Sequence, residues 1–255
     1  MKLTKGARVL PHLILIHGRD GVGKTTLASE FPNPVFIGPE AGTYNLDVER
    51  FEDVKIYDDV MNALRQIYKM KPKTIVIDSL DWCEILIMDH ICKTQDKNSI
   101  ELCSGGYSKA YVDVKNMFIE IQKSLNALRE KGHNVVLICH SHAAEFNDPA
   151  VDVPYHRYEL KLFKSKSGNT DLRALWREYV DAVIFLRHEV MVSGDKKEAR
   201  GFSTDRILMH LKPDARWDAK NRFGITEDLV FEKGKGYEVL NEALTKGVDH
   251  GKKES

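Results

Sequence analysis

Net charge, long apolar runs and cysteine pairs are all missing from this chain of 255 residues. Lys plus Arg and Asp plus Glu each number 38, so the formal net charge is zero and no global field attracts nucleic acid or a membrane surface. No apolar run approaches the roughly 20 residues of a membrane-spanning helix, and no signal-type apolar core follows the basic residues 1–8. We therefore expect a cytoplasmic protein with no membrane partner, in which any nucleic-acid site is a local patch.

Cysteine is scarce and does not suggest a metal site. The four cysteines are Cys83, Cys92, Cys103 and Cys139. No two of them have C-x-x-C spacing, so a structural zinc site is not expected. In a reducing compartment we expect free thiols rather than disulfides.

The length and composition fit one domain. Hydrophobic residues make up 42% and charged residues 30% of the chain, which is ordinary for a globular protein. We divide the chain into a short N-terminal segment 1–12, one α/β domain at 13–245, and a polar tail at 246–255 that we expect to be disordered.

One glycine-rich stretch dominates the sequence. It consists of Gly18, Arg19, Asp20, Gly21, Val22, Gly23, Lys24, Thr25 and Thr26. It fits the pattern G-x-x-x-x-G-K-[ST], in which glycines let backbone N–H groups approach phosphates. An apolar run at 13–16 precedes it and predicts a buried parallel strand, and a helix-forming stretch follows. We expect these nine residues to bind a nucleoside triphosphate, with Lys24 on the outer phosphates and the Thr25 hydroxyl on Mg²⁺.

Two acidic residues follow predicted strands. The apolar run 74–77 ends in Asp78, which we expect to complete the Mg²⁺ site with Thr25, through water. Glu40 follows the short apolar run 35–37, at the sheet edge where ligands collect in open α/β folds. A carboxylate there can orient a water molecule and take its proton. A turn-forming surface glutamate is the alternative for Glu40.

A third apolar run, 135–139, ends in two histidines, His140 and His142. Residues two apart on a strand share a face, which suggests a metal site, but no third ligand at a convincing spacing is evident. We instead interpret His140 as a polar sensor beside the γ-phosphate, able to distinguish ATP from ADP.

The segment 156–177 carries the main basic excess, with six Lys or Arg residues against two acids. Lys164, Lys166 and Arg173 are the candidates to grip nucleic-acid phosphates without reading sequence. A solvated loop is the alternative. We also predict an irregular loop at 143–155 and a last β-hairpin at 231–240.

With these motifs the chain resembles the core of RecA-type ATPases. Within that superfamily it resembles the Sak-type phage nucleotide-binding proteins implicated in single-strand annealing and recombination. The resemblance runs from about Leu13 to Leu240. It rests on the order of the motifs, with Phe36–Glu40, Thr74–Ser79, Leu137–His140 and Lys220–Arg222 after the phosphate loop. It implies a RecA-like P-loop NTPase core with a mostly parallel central sheet flanked by helices, and C-terminal antiparallel strands.

The resemblance also implies roles for individual residues. Glu40 matches the water-activating glutamate, and His140 occupies the sensor position, where RecA has an amide side chain. Lys220 and Arg222 match cations that reach across a subunit interface to the neighbour's ATP. The stretches 143–155 and 163–171 match two DNA-binding loops, of which the first is acidic here, so only the second is carried over.

The sequence therefore predicts an ATPase that binds ATP and Mg²⁺, binds single-stranded DNA and assembles head to tail as a ring or filament. By resemblance we expect it to support phage-type recombination or annealing in the host cytoplasm, with a single-strand-binding protein as a partner. Three alternatives stay open: a small-molecule P-loop kinase, a helicase or packaging motor, and a non-catalytic mediator that uses ATP as an assembly switch.

Overall fold

The computed structural model describes residue 5 and residues 10–38, 41–71, 73–106, 109–166, 168–193 and 200–253. The strands are β1 (Leu13–Gly18), β2 (Pro34–Ile37), β3 (Glu49–Arg50), β4 (Thr74–Asp78), β5 (Asn134–Phe146), β6 (Tyr155–Leu160), β7 (Ala182–Ser193), β8 (Arg200–His210), β9 (Lys220–Asn221) and β10 (Leu229–Phe231). The α-helices are α1 (Lys24–Ser29), α2 (Tyr57–Ile67), α3 (Leu80–Thr94), α4 (Ala110–Glu130), α5 (Leu172–Tyr179) and α6 (Gly236–Lys253). Short 3-10 helices occupy Ala41–Thr43 and Ile100–Gly105.

The strands form a mixed sheet in the order β10-β8-β7-β1-β5-β4-β2-β3. The pairs from β3 across to β7 are parallel, whereas β8 and β10 run antiparallel at the C-terminal side of the sheet. β6 pairs antiparallel with the distal half of β5, and β9 pairs antiparallel with the start of β7. The predicted α/β fold, with a mostly parallel centre and C-terminal antiparallel strands, is thereby confirmed.

Helices cover both faces of the sheet, because successive strand residues point to opposite faces. One core packs the sheet against α2, α3, α4 and α5, and the other packs it against α1 and α6. The predicted apolar stripe of α4 is buried in the first core. Its members Val114, Phe118, Ile121, Leu125 and Leu128 are at most 1% exposed. Each such burial contributes roughly 1.5–3 kcal/mol.

Parallel pairing gathers the predicted site residues at one edge of the sheet. Gly18 pairs with His140, and Asp78 pairs with Ile138, so the ends of β1, β5 and β4 lie side by side. β5 thus lies between the strand of the phosphate loop and the strand that ends in Asp78. Gly38 follows the end of the neighbouring strand β2 and packs against the backbone of Asp78. A Cβ at Gly38 would lie 1.7 Å from the Asp78 carbonyl oxygen.

The predicted irregular loop at 143–155 is wrong over its first and last residues. β5 continues through Phe146, and residues 141–146 pair with β6 in antiparallel register, with His142 opposite Glu159. The polar residues after the apolar run gave no strand signal by themselves. They are extended because β6 supplies their backbone hydrogen-bond partners.

The predicted hairpin at 231–240 is also wrong. Only Leu229–Phe231 is a strand, and α6 begins at Gly236 and continues to Lys253, into the expected tail. The Glu30 carboxylate accepts hydrogen bonds from the backbone N–H groups of Gly234 and Tyr237, at 2.6 and 3.2 Å. Backbone N–H groups at the start of α6 are therefore hydrogen-bonded to a side chain about 200 residues away in sequence.

Two further expectations concern thiols and membranes. All four cysteines are free thiols, as expected, and Cys92 and Cys103 lie 3.8 Å apart, sulfur to sulfur. Across the described ranges, no helix combines the length and the apolar character needed to cross a bilayer.

Gly38→Ala tests the close approach at the site edge. Because the new methyl group would overlap the Asp78 carbonyl, we expect the free energy of unfolding to fall by at least about 3 kcal/mol, measured by urea denaturation. Gly42→Ala is the matched control, since a Cβ there meets nothing closer than 3.6 Å. Equal stability of both variants would contradict this packing.

Candidate nucleotide-binding site

A glycine turn joins β1 to α1 and shapes the phosphate loop. Gly21 and Gly23 have φ values of 74° and 95°, a left-handed region that favours glycine. Gly18 is also required, because a Cβ there would lie 2.4 Å from the Leu186 carbonyl oxygen of β7. The local sequence therefore fits the turn at the two glycines of the pattern, Gly18 and Gly23, and also at Gly21.

Lys24 lies inside this turn. Its side chain is buried, and its ammonium donates to the carbonyl oxygens of Gly18 and Arg19 at 3.1 and 3.0 Å. The charge is thus held at the centre of the loop, where phosphate oxygens would approach. The remaining residues of the predicted phosphate site, Asp20 to Val22 and Thr26, belong to the same turn and to the start of α1.

Thr25 and Asp78 meet as predicted. The Thr25 hydroxyl donates to Asp78 Oδ2 at 2.8 Å, and Asp78 is only 3% exposed. A hydroxyl and a carboxylate oxygen are donors that Mg²⁺ accepts, with phosphate and water oxygens filling the remaining positions. This pair therefore fits the predicted Mg²⁺ site.

His140 is held beside the loop by Asp81, in the first turn of α3. Asp81 accepts hydrogen bonds from the backbone N–H of His140 at 3.0 Å and from its Nδ1 at 2.8 Å. Burial alone would raise the pKa of Asp81, but these hydrogen bonds outweigh it and the pKa is lowered. The other ring nitrogen, Nε2, lies 3.4 Å from Asp20 Oδ1 of the phosphate loop. His140 is therefore held beside the phosphate loop, and its role as a sensor of the terminal phosphate stays a prediction.

His17, the residue before Gly18, anchors the start of the phosphate loop through hydrogen bonds. It is fully buried, its Nε2 donates to the Asp218 carbonyl oxygen at 2.7 Å, and the Ser141 hydroxyl donates to its Nδ1 at 2.8 Å. Burial lowers the pKa of His17 from 6.5 to about 4. The ring is therefore neutral, and it connects β1, β5 and the segment before β9.

Glu40 lies outside the described residues, so its role as water-activating base stays a prediction. The described residues on both sides are close to the site. Gly38 packs on Asp78, and the 3-10 helix that begins at Ala41 places Gly42 near Thr25.

Lys220 and Arg222 are far from the phosphate loop of their own chain. Lys220 pairs with Val183 and Asn221 pairs with Ala182, and the β1 partners of these two β7 residues are Leu15 and Ile14, whereas the loop follows Gly18 at the end of β1. The offset along β1 is therefore three residues for Lys220 and four for Asn221, which corresponds to roughly 10–13 Å. Both cations therefore lie towards the other end of β1 from the phosphate loop of their own chain, and their predicted role at a neighbour's ATP stays a prediction.

Both cations have structural partners. The Arg222 guanidinium lies 2.9 Å from Asp181 and donates to a carbonyl at the end of α5, and it is half exposed. Burial lowers the pKa of Lys220. Its ammonium caps the C-terminus of α5 by donating to the carbonyl oxygens of Arg177, Glu178 and Val180.

The candidate DNA residues separate into two kinds. Lys166 is exposed, and the Lys164 side chain is 45% exposed, 3.9 Å from Asp171. Arg173 is instead held in an ion pair with Glu159, and its side chain is only 12% exposed. A nucleic-acid phosphate would have to displace that carboxylate, so the structure does not bring Arg173 together with the two lysines as an open grip.

Sequence reasoning missed three residues that the tertiary structure brings to the site: His17, Asp81 and Arg187. Asp81 stands one turn after a strand-end acid, a position that could have been flagged as a helix-start carboxylate. His17 sits in an apolar run without a distinguishing signal. Arg187 directly follows Leu186, which pairs with Gly18 in the parallel register, and no sequence pattern shows that pairing.

Comparison with known proteins relates the chain to a protein family. A family described as an AAA domain matches residues 11–223, which is most of the chain. No curated protein matches the chain. The matched range includes the phosphate loop, Asp78, His140 and β9, and the mixed sheet described above fits a P-loop NTPase-like fold.

The pKa of His17 predicts how stability depends on pH. As the pH falls from 6.5 towards 4, the unfolded chain takes up a proton at His17 that the folded chain does not bind, so stability is lost. We expect His17 alone to remove roughly 2 kcal/mol between about pH 7 and pH 5. Urea unfolding of the wild type and of His17→Gln at both pH values measures this. The variant should lose less stability, and parallel losses would contradict the prediction.

Proposed function

We propose, from the premise that the chain belongs to the AAA domain family of P-loop ATPases, that it binds and hydrolyses ATP with Mg²⁺ at the loop 18–26. The observation that carries this proposal is the pairing of Thr25 with Asp78 at 2.8 Å beside the buried ammonium of Lys24. A cation for the phosphates and oxygen ligands for a metal are thus adjacent, as phosphoryl transfer requires.

Each residue has a distinct task in this proposal. The loop N–H groups and Lys24 hold and orient the phosphates, and Thr25 and Asp78 hold Mg²⁺, which when bound neutralises phosphate charge. Glu40 takes a proton from the attacking water. His140, held by Asp81, reports whether the terminal phosphate is present.

We further propose that single-stranded DNA binds at the segment 163–170, as in the RecA-like and Sak-type proteins that the sequence resembles. Its exposed lysines, Lys164 and Lys166, suit sequence-independent phosphate contacts. Two contacts support coupling of this segment to the nucleotide site. The backbone N–H of Lys161 donates to the His140 carbonyl oxygen at 2.9 Å, and that of Phe163 donates to the Glu84 carboxylate at 3.2 Å.

Head-to-tail assembly is part of the same proposal. The phosphate loop and Arg222 lie at opposite ends of β1 and β7, so a stack of copies would bring the exposed Arg222 of one towards the loop of the next. The ammonium of Lys220 already caps α5. We therefore keep only Arg222 as the residue that contacts the ATP of a neighbouring copy. A role in recombination or annealing in the cytoplasm, alongside a single-strand-binding protein, would follow from these activities.

A second candidate function is small-molecule phosphoryl transfer. A cavity of about 320 Å³ opens beside Asp78, on the side of β2 and α3, and its lining includes Thr43, Arg50 and Trp82. Such a cavity could hold an acceptor next to the terminal phosphate. The discriminating measurement is whether ATP turnover is stimulated by single-stranded DNA or by a small hydroxyl compound.

Lys24→Ala tests the nucleotide site. Because the loop loses the only cation held at its centre, we expect ATP affinity or turnover to fall at least about hundredfold. Equilibrium binding of ATP and release of inorganic phosphate are the measurements. Lys123→Ala, which removes an exposed lysine of α4, is the control, and wild-type turnover in Lys24→Ala would overturn the assignment.

Salt dependence tests the DNA site. Affinity for a single-stranded oligonucleotide should fall steeply between about 50 and 200 mM salt. The double variant Lys164→Ala/Lys166→Ala should lower the slope of log K against log salt by about 1.4, which corresponds to two lost phosphate contacts. The exposed pair Lys93→Ala/Lys123→Ala is the control. A measurable complex with a flat salt response would refute an electrostatic grip.

A further inference from the structure

A cavity on the β7 side of the phosphate loop is not explained by the residues assigned so far. Its volume is about 210 Å³, and its lining includes Arg19 and Asp20 of the loop, Tyr158 of β6, and Phe185 and Arg187 of β7. Asp20 is also the residue that lies 3.4 Å from His140. The cavity therefore opens beside the part of the loop where His140 is placed.

The parallel register positions Arg187 at this cavity. Gly18 pairs with Leu186, and the Leu186 carbonyl oxygen is the atom that a Cβ at Gly18 would strike. Arg187 follows Leu186 as Arg19 follows Gly18, so Arg187, within β7, and Arg19, at the start of the phosphate loop, lie at the same level of the sheet and line the same cavity. Lys220 and Arg222 do not reach this level.

Arg187 differs in its partners from three other arginines of the fold. Arg157, Arg173 and Arg177 are each paired with a buried carboxylate. Over the ranges that the structure describes, Arg187 has no carboxylate within the 4.0 Å of an ion pair, and its two Nη groups make no hydrogen bond. A partly buried guanidinium without an anion is ready to accept one.

The guanidinium is nevertheless held in place. Its carbon lies 5.1 Å from the centre of the Trp217 ring, and its Nε donates to His210 Nε2 at 3.2 Å. Nδ1 of His210 lies 2.7 Å from Asp228, and burial lowers the pKa of His210. A neutral imidazole can accept from Arg187 at Nε2, so His210 holds the guanidinium while its Nη groups stay available.

We propose that Arg187 contacts the terminal phosphate of a triphosphate bound to the same chain and acts as the catalytic cation of hydrolysis. This inference rests on the proposed ATPase function. The oxygen of water bonds to the γ-phosphorus, the bond from phosphorus to the bridging oxygen breaks, and ADP leaves with the electron pair while the water proton passes to the base. Arg187 stabilises the charge on the transferring phosphoryl oxygens from within the chain that holds the nucleotide.

Arg187→Ala tests the catalytic role. We expect single-turnover hydrolysis of ATP to slow at least about hundredfold, while ATP binding by equilibrium dialysis changes less than about tenfold. Arg206→Ala is the matched control, because Arg206 lies on the adjacent strand β8 and is 55% exposed, with Glu189 as partner. Turnover of Arg187→Ala within about threefold of the wild type would overturn the proposal.

Arg187→Lys separates chemistry from folding. The variant keeps the charge and the aliphatic stem, but it cannot donate from Nε to His210 while presenting two further donors to a phosphate. We expect a circular-dichroism spectrum and melting temperature close to those of the wild type, with hydrolysis reduced at least about tenfold. Full hydrolysis by a folded Arg187→Lys variant would count against a directed guanidinium contact.

Mixing variants tests whether the cation acts within its own chain. Equimolar Arg187→Ala and Lys24→Ala should hydrolyse no more ATP than the sum of the two alone, because neither chain carries both residues. Activity above that sum would assign Arg187 to a neighbour's site and overturn the proposal. If the wild type does not hydrolyse ATP, both the proposed function and this inference fail, whereas a wild-type rate in Arg187→Ala removes only the inference.

Discussion

The hydrogen bond from Thr25 to Asp78 is the contact on which the proposed chemistry depends. It reaches from the first turn of α1 across β5 to the end of β4, at 2.8 Å. Parallel pairing makes this possible, because it aligns the ends of β1, β5 and β4 at one edge. A carboxylate that is 3% exposed needs donors or a cation. Thr25 supplies the donor, and a bound Mg²⁺ would supply the charge.

The first two turns of α3 connect this edge to the basic segment. Asp81 holds His140 on β5, and Glu84, one turn later, accepts from the backbone N–H of Phe163. Burial raises the pKa of Glu84 to about 7. A displacement of α3 caused by a change at Asp78 would therefore act on both the sensor and the start of the segment 163–170. The contacts establish a continuous physical connection, and the coupling energy along it is a separate quantity.

Charge pairing explains why counting cations over 156–177 overestimated the open basic surface. Arg173 pairs with Glu159, and both Arg157 and Arg177 contact the buried Asp218, which lies outside the counted segment. An arginine is buried only together with such a partner. Three of the six cations counted in the segment are therefore neutralised by carboxylates in the folded chain. The two lysines at 164 and 166 remain accessible because their segment is irregular. Arg187 was missed for the opposite reason, because it does not lie in a segment with an excess of basic residues.

The amino-acid sequence alone determined the phosphate loop, the acid at the end of β4, the place of His140 after the apolar run of β5, and the α/β class. These follow from short-range rules, since the glycine spacing and the apolar periodicity are set by residues close in the chain. Tertiary structure alone decided that Lys220 caps α5, that 141–146 extends β5, that Glu30 caps α6, and that Arg187 lies beside the phosphate loop. Each of these is a contact between distant segments, and its partner is defined by strand order and register. Hydrogen bonds and charges are satisfied by whichever group the fold brings near, so the roles of such residues depend on the folded sheet.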